Sequence, residues 1–369
     1  MLDTLLDQGL QVNFEEISDL DLKTCAHYQH AVSKGPGMKP CRALQIVAIL
    51  AGIILNRHNA LALDKVIIGF SSLSAVHGAT WVAEEKGLFK KHAIEPQIVI
   101  MPGTAVGISA LMAGDVDFLN AGGNIVIGAN LKGADLIMLG AYINKGVQSV
   151  MARSDIKTPG DLKGKTVGVT RLFDGGHRLL ERALSIWKIN PADVRLLALG
   201  SSPAMLARLE KGGIDAAVLT IPSVFVAEDK GFRVLANFSD MGLYSLSGML
   251  STRRAFLRAN RDLATRFMKG FVEGIAYFNR NKKESVAVLR KKLRTGAEGE
   301  KYLERAYDLL ANKQYERVPT PSPLGLKTVM EIVALDDPKA KTVDPTAFID
   351  GSIIKELDDS GFIKSLYER

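Results

Sequence analysis

Five short stretches gather the side chains able to do chemistry. Ser71, Ser72 and Ser74 stand just ahead of His77, and Gly103 and Thr104 follow Pro102. Gly122, Gly123 and Asn124 are consecutive, Thr170 and Arg171 lead to Asp174, Gly175 and His177, and Thr220 precedes Ile221-Pro222. Hydroxyls, small amides and glycines suit holding an oxyanion, because free backbone N–H groups at a helix start donate to carboxylate, sulfonate or phosphate oxygens. Arg171 is the favoured grip for such a group, since its planar fork binds two oxygens and keeps its charge. Plainer roles compete: Ser74 as a helix cap, Gly103 as a turn former, Arg171 paired with Asp174, and Phe173 as a cover for its loop rather than a stacking surface.

Bond-making machinery is not expected. Beyond residue 62 the histidines are His77, His92 and His177, and no His-Glu-x-x-His, Cys-x-x-Cys or Gly-x-Ser-x-Gly pattern occurs. Gly175-Gly176 lacks the Gly-Lys-Ser/Thr that a phosphate-binding loop needs. Two scattered histidines define no metal ligand set, so neither catalytic residues nor a resident metal or cofactor is predicted.

The elements that must position these stretches alternate in type. Strands are expected at 66–70, 98–101, 116–120, 165–170, 194–199 and 214–219, with helices at 75–86, 104–112, 176–187 and 203–211 between them. That alternation marks βαβ units and a mostly parallel sheet. An internal repeat is visible: at an offset of 98, Pro102 falls on Gly200, Leu111 on Leu209, Gly114 on Gly212 and Asp117 on Asp215. One residue of slip pairs Gly69 with Gly168 and Leu73 with Leu172. Two related α/β lobes are predicted, 63–150 with 251–369, and 151–250. Two crossovers would join them, near 150–153 and 248–251, and a helical tail from residue 254 would pack back on the first lobe. In parallel α/β sheets ligands bind beyond the carboxyl ends of strands, and the five stretches follow strands.

Bulk properties agree with two folded lobes. A chain of 369 residues exceeds what one core organises, and 47% hydrophobic with 24% charged residues is ordinary for globular proteins. The net charge of +7 is scattered, with no basic block interleaved with aromatics, so nucleic acid is not an expected partner. From Met38 the chain reads Met-Lys-Pro-Cys-Arg, an apolar run over 43–55 and then Ala60-Leu61-Ala62. This is the pattern of a secretory signal peptide cleaved after Ala62, with 1–37 an upstream extension and Met38 the working start. Both cysteines, Cys25 and Cys41, precede that point, so disulfides and thiolate chemistry are not expected beyond it.

Four phrases carry a family resemblance. Thr80-Trp81-Val82-Ala83-Glu84-Glu85-Lys86-Gly87-Leu88-Phe89, Gly114-Asp115-Val116-Asp117-Phe118, Asp161-Leu162-Lys163-Gly164-Lys165-Thr166-Val167-Gly168 and the closing Phe362-Ile363-Lys364-Ser365-Leu366-Tyr367 occur in order. Together they resemble the nitrate/sulfonate/taurine (SsuA/THI5-like, NMT1-like) type of ABC solute-binding proteins and the related pyrimidine-precursor binders, over essentially all of 64–369. The resemblance implies a type II periplasmic-binding-protein fold: two α/β lobes, two crossover strands, and a small solute held between them by hinge closure. It further implies a periplasmic, monomeric, non-catalytic component that serves a permease and an ATPase. A pyrimidine-synthase-like enzyme of the same fold, which would need a cysteine-rich motif, and a periplasmic sensor subunit are the competing readings. The ligand is left open among nitrate, sulfonates, taurine, carboxylates and pyrimidine precursors.

Overall fold

Runs of β-branched and aliphatic residues set the strands, and the computed structural model of the protein describes residues 63–101 and 103–368. The expected leader, its cleavage point, both cysteines and Pro102 lie outside the described residues. Asp64–Phe70 (β1) pairs in parallel with Ile94–Ile100 (β2) on one side and with Phe118–Ala121 (β3) on the other. Gly78–Glu85 (α1), Thr104–Ala113 (α2) and Gly123–Leu131 (α3) intervene before Leu136–Lys145 (β4). The chain continues through Ser149–Ala152 (β5), Thr166–Val169 (β6), Gly175–Ile186 (α4), Arg195–Ala198 (β7), Ser202–Glu210 (α5) and Ala216–Leu219 (β8). Ser223–Asp229 (α6) and Arg233–Asn237 (β9) follow, and Tyr244–Arg253 (β10) returns to the first sheet.

The sheets run β2-β1-β3-β10-β4 and β7-β6-β8-β5-β9. Each has three parallel strands, then an antiparallel strand, then an edge strand. The match reaches single hydrogen bonds. Asp117 Oδ2 accepts from the Ile67 N–H at 2.8 Å, and Asp215 Oδ2 accepts from the Thr166 N–H at 2.8 Å. These pairs stand at the offsets of 98 and 99 read in the sequence. At the repeat pair Gly69 and Gly168, a Cβ would lie 3.0 Å from Met101 and 2.8 Å from Ile214, so the ends of neighbouring side chains press close on both glycines.

Strand alternation divides the cores. Val66, Ile68 and Phe70 of β1 face one cluster, whereas Ile67 packs against another beneath the opposite face. The second sheet separates Val150 from Met151 in the same way.

Two features depart from the sequence reading. Strands β4 and β9 and helices α3 and α6 were not foreseen; β4 opens on an unbroken apolar run, LIMLGAYI, the pattern of a strand covered on both faces rather than an alternating one. The passages between sheets fall at 146–148 and 238–243, not at 150–153 and 248–251, because 150–152 already belong to β5 and 248–251 to β10.

The tail comprises Arg254–Ala259 (α7), Arg261–Arg280 (α8), Lys282–Leu293 (α9), Glu300–Leu309 (α10), Pro323–Val333 (α11), Ser352–Asp359 (α12) and Phe362–Ser365 (α13). Helix α8 packs on α1 and lays Phe267 on Phe118, ring centroids 4.0 Å apart. Leu326 and Val329 of α11 join the cluster under β10, while Ile332 enters the core of the second sheet. Ion pairs cross between the halves: Lys301 with Asp229 at 2.6 Å, Arg305 with Glu228, and Arg182 with Glu331 at 3.2 Å. They are largely solvent-exposed, so they steer geometry more than they stabilise. Among the described residues, no helix is long and apolar enough to cross a membrane.

Candidate functional site

A cavity of about 170 Å³ opens where the carboxyl ends of the parallel strands of both sheets face each other. Ser71, Ser72, Ser74, His77, Gly103, Thr104, Gly122 and Asn124 line it from the first half, and Thr170, Arg171, Asp174, Gly175 and Thr220 from the second. Two sequence candidates do not line it. A Cβ on Gly123 would lie 2.9 Å from Leu246, so this glycine serves close packing of α3 on β10. His177 turns behind its loop, where Nδ1 accepts the Phe173 N–H at 2.9 Å and Nε2 faces Glu181 at 3.5 Å. Gln148, Ser202, Ser245 and Ser247 line the cavity without having been singled out. Ser202 sits at the start of α5 behind Ser201, a strand-end signal of the kind used elsewhere; Gln148 lies on the first passage between the sheets, and Ser245 and Ser247 lie on β10.

Helix N-termini supply the local field. Gly103 caps α2 and Gly122 caps α3 without any side-chain hydrogen bond, which leaves N–H groups of the first turns free to donate. Gly103 has φ +106°, in the region open to glycine, and a Cβ there would lie 2.3 Å from Arg171 Nη1. Arg171 thus reaches across from the second half and lies against the first. Among the described residues no carboxylate pairs with it, because Asp174 is committed elsewhere: its Oδ1 caps α4 by accepting the His177 N–H at 2.9 Å. Burial raises the Asp174 pKa, and hydrogen bonds from the backbone of His177, Arg171 and Gly176 oppose that shift.

His77 is electrically silent at neutral pH. Only 3% exposed, it stacks on Phe70 with ring centroids 4.1 Å apart, and burial pulls its pKa from 6.5 down to about 3. Its Nε2 lies 3.4 Å from Ser72 Oγ. Ser74 takes the plainer role as well, since its Oγ accepts the Val76 N–H at 3.5 Å as the cap of the turn before α1. Phe173 does not line the cavity; it is 61% exposed, with the Arg178 guanidinium 4.9 Å above its ring.

Six serines, three threonines, Asn120, Asn124 and Gln148 therefore surround one guanidinium and one carboxyl, with Val76, Ile125, Val147, Leu179 and Ile332 as apolar wall. Such a wall excludes water while the polar groups orient a small molecule. Among the described residues no three His, Cys, Asp or Glu side chains converge as a metal set would.

The chain is 26% identical over 169 residues to the taurine-binding periplasmic protein of Escherichia coli K12, covering 45% of this chain and 52% of that protein. It is 27% identical over 216 residues to a putative aliphatic sulfonates-binding protein of the same organism, covering 57% and 66%. The chain thus spans about half to two thirds of the length of the curated relatives it matches. The crystal structure of the periplasmic aliphatic sulphonate binding protein SsuA from Escherichia coli superposes with a TM-score of 0.62 at 20% identity, over 76% of this chain and 94% of that one. The fold is that of the periplasmic binding proteins. The family described as NMT1/THI5 like matches residues 74–285, more than half of the chain, and the protein belongs to that family.

Proposed function

We propose that the protein is the solute-capturing component of an ABC importer, holding a small organic anion in the cavity between two α/β lobes, 63–150 with 251–369 and 151–250. The observation that carries this reading is the convergence of two glycine-capped helix N-termini and one carboxylate-free guanidinium on a single cavity. A volume of about 170 Å³ suits a ligand of few heavy atoms; an apolar cavity of about 150 Å³ holds benzene. The named relatives bind taurine or aliphatic sulfonates, and a sulfonate matches the donors gathered here. Contacts from both lobes to one ligand select the closed arrangement, which then docks on a permease coupled to an ATPase. The protein acts as an exported, monomeric, non-catalytic receptor in the periplasm.

Thermal-shift screening followed by calorimetry against taurine, ethanesulfonate, nitrate, benzoate and an aminopyrimidine tests the reading. One anion is expected to bind at a single site with a Kd at or below the micromolar range, unaltered on recovery. Exclusive binding of the neutral pyrimidine, or turnover of any compound, would overturn it.

A further inference from the structure

The loop that carries Arg171 is held largely from behind, by His177 and Arg178, neither of which lines the cavity. Phe173 has φ +67°, a conformation costly for a bulky residue unless its surroundings enforce it. Three contacts do so. The Phe173 N–H donates to His177 Nδ1 at 2.9 Å, Asp174 Oδ1 accepts the His177 N–H at 2.9 Å, and the Arg178 guanidinium covers the Phe173 ring. Arg178, 4% exposed, is itself fixed by Glu181 at 2.6 Å and by Asp336 beyond α11. The first contact is singular in kind. An imidazole nitrogen that accepts a backbone N–H must be bare, so the ring proton sits on Nε2, toward Glu181.

We propose that His177 is the positioning residue for Arg171: by accepting the Phe173 N–H at Nδ1 it holds the 171–174 loop in its binding conformation, and a proton placed on that nitrogen releases the loop. Protonation turns the acceptor into a donor facing another donor, leaving the left-handed Phe173 without its tie. Every charged group facing His177 enters the balance. Burial lowers its affinity for a proton; Glu181 on α4 and Asp174 at its cap raise it, as does Asp336 from the segment after α11, while Arg178 lowers it. The net shift is downward, so His177 is neutral at pH 7, and its hold is lost as pH falls below 6.5. This inference rests on the anion-binding reading for its functional consequence and on the loop alone for its physical one.

Both levels are measurable on the full chain. Amide exchange at Phe173 and the ethanesulfonate Kd are followed in wild type, His177→Phe and His177→Asn between pH 8 and 5. Asn places an acceptor where Nδ1 stood but does not titrate. His177→Phe is expected to speed Phe173 exchange at least tenfold and weaken binding about tenfold, with Asn restoring both to within about threefold. The wild-type Kd is expected to weaken as pH falls, while that of His177→Asn stays flat. Phe173 exchange unchanged in His177→Phe, or a Kd of His177→Asn as pH-dependent as that of wild type, overturns the proposal; the latter would assign the pH response to Asp174. Should His177→Phe not fold, exchange and the pH profile of His177→Asn decide. Absence of ethanesulfonate binding to wild type counts against the sulfonate reading, and Phe173 exchange then judges the loop by itself.

Discussion

On the side of the first sheet the cavity is bounded by glycine-capped helices and brings no charged side chain; on the side of the second, α4 and α5 are closed by Asp174 and Ser201, and both charged groups of the cavity, Arg171 and Asp174, belong there. Two halves with the same strand order have thus divided the work. One offers backbone donors fixed by its helices, and the other offers a side-chain cation whose neighbouring carboxylate is occupied. A shared scaffold can therefore present different chemistry from its two sides to one cavity.

The comparison can be broken most directly at Arg171. Replacing it with Ala removes the only cation that lines the cavity among the described residues, and calorimetry is expected to show a loss of about 1.5 to 3 kcal/mol, roughly 10- to 150-fold, for an anionic ligand. A melting temperature unchanged without ligand would show that the loss is local. Gly103→Ala should weaken binding about tenfold, because its methyl collides with the guanidinium, and should add a backbone cost of about 1 to 3 kcal/mol. Gly200, at φ +81° in the corresponding loop of the second half, has nothing within 4 Å of its would-be Cβ; Gly200→Ala is expected to show the backbone cost without the affinity loss.

The histidines sharpen the contrast. Burial depresses His77 to about 3, so its contribution to stability is complete above pH 6.5 and disappears as pH falls toward 3. Burial lowers the pKa of His177 too, but Glu181, Asp174 and Asp336 beside it oppose that shift. Ring nitrogen shifts should keep His77 neutral throughout pH 5–8 and show His177 titrating above it. The smallest effect belongs to the caps. Ser201→Ala should cost about 1 kcal/mol in chemical denaturation and leave ligand affinity unchanged, since that hydroxyl caps the Ala204 N–H.

Much of the site could be read from the chain because strand ends in this architecture are punctuated by Gly, Ser and Thr, and the stretches at 71–74, 103–104, 122–124, 170–175 and 220 all reach the cavity in part. The misses have geometric causes. Gly122 is the extended residue that caps α3 and Asn124 lies in its first turn; both line the cavity, while Gly123 between them packs on Leu246. His177 lies within the first turn of α4, behind the loop it supports. Gln148 comes from a passage between the sheets, and Ser245 and Ser247 from the antiparallel strand β10; neither has a counterpart in a βαβ beat, and no local pattern marks them. The alternative that Arg171 pairs with Asp174 could be settled only by seeing the carboxylate capping its helix.

Strand β10 carries a consequence for the order of assembly. It lies between β3 and β4 in the first sheet, although it is the last strand to be synthesised. All strands of the second sheet lie within 149–237 and can pair before residue 244 leaves the ribosome. The first half must wait, with the inner edges of β3 and β4 bare, until a distant segment arrives to close the gap. Such nonlocal pairing is slow and leaves edges open to other chains. Nascent chains stalled short of Tyr244 should therefore contain a finished second sheet and an unfinished first.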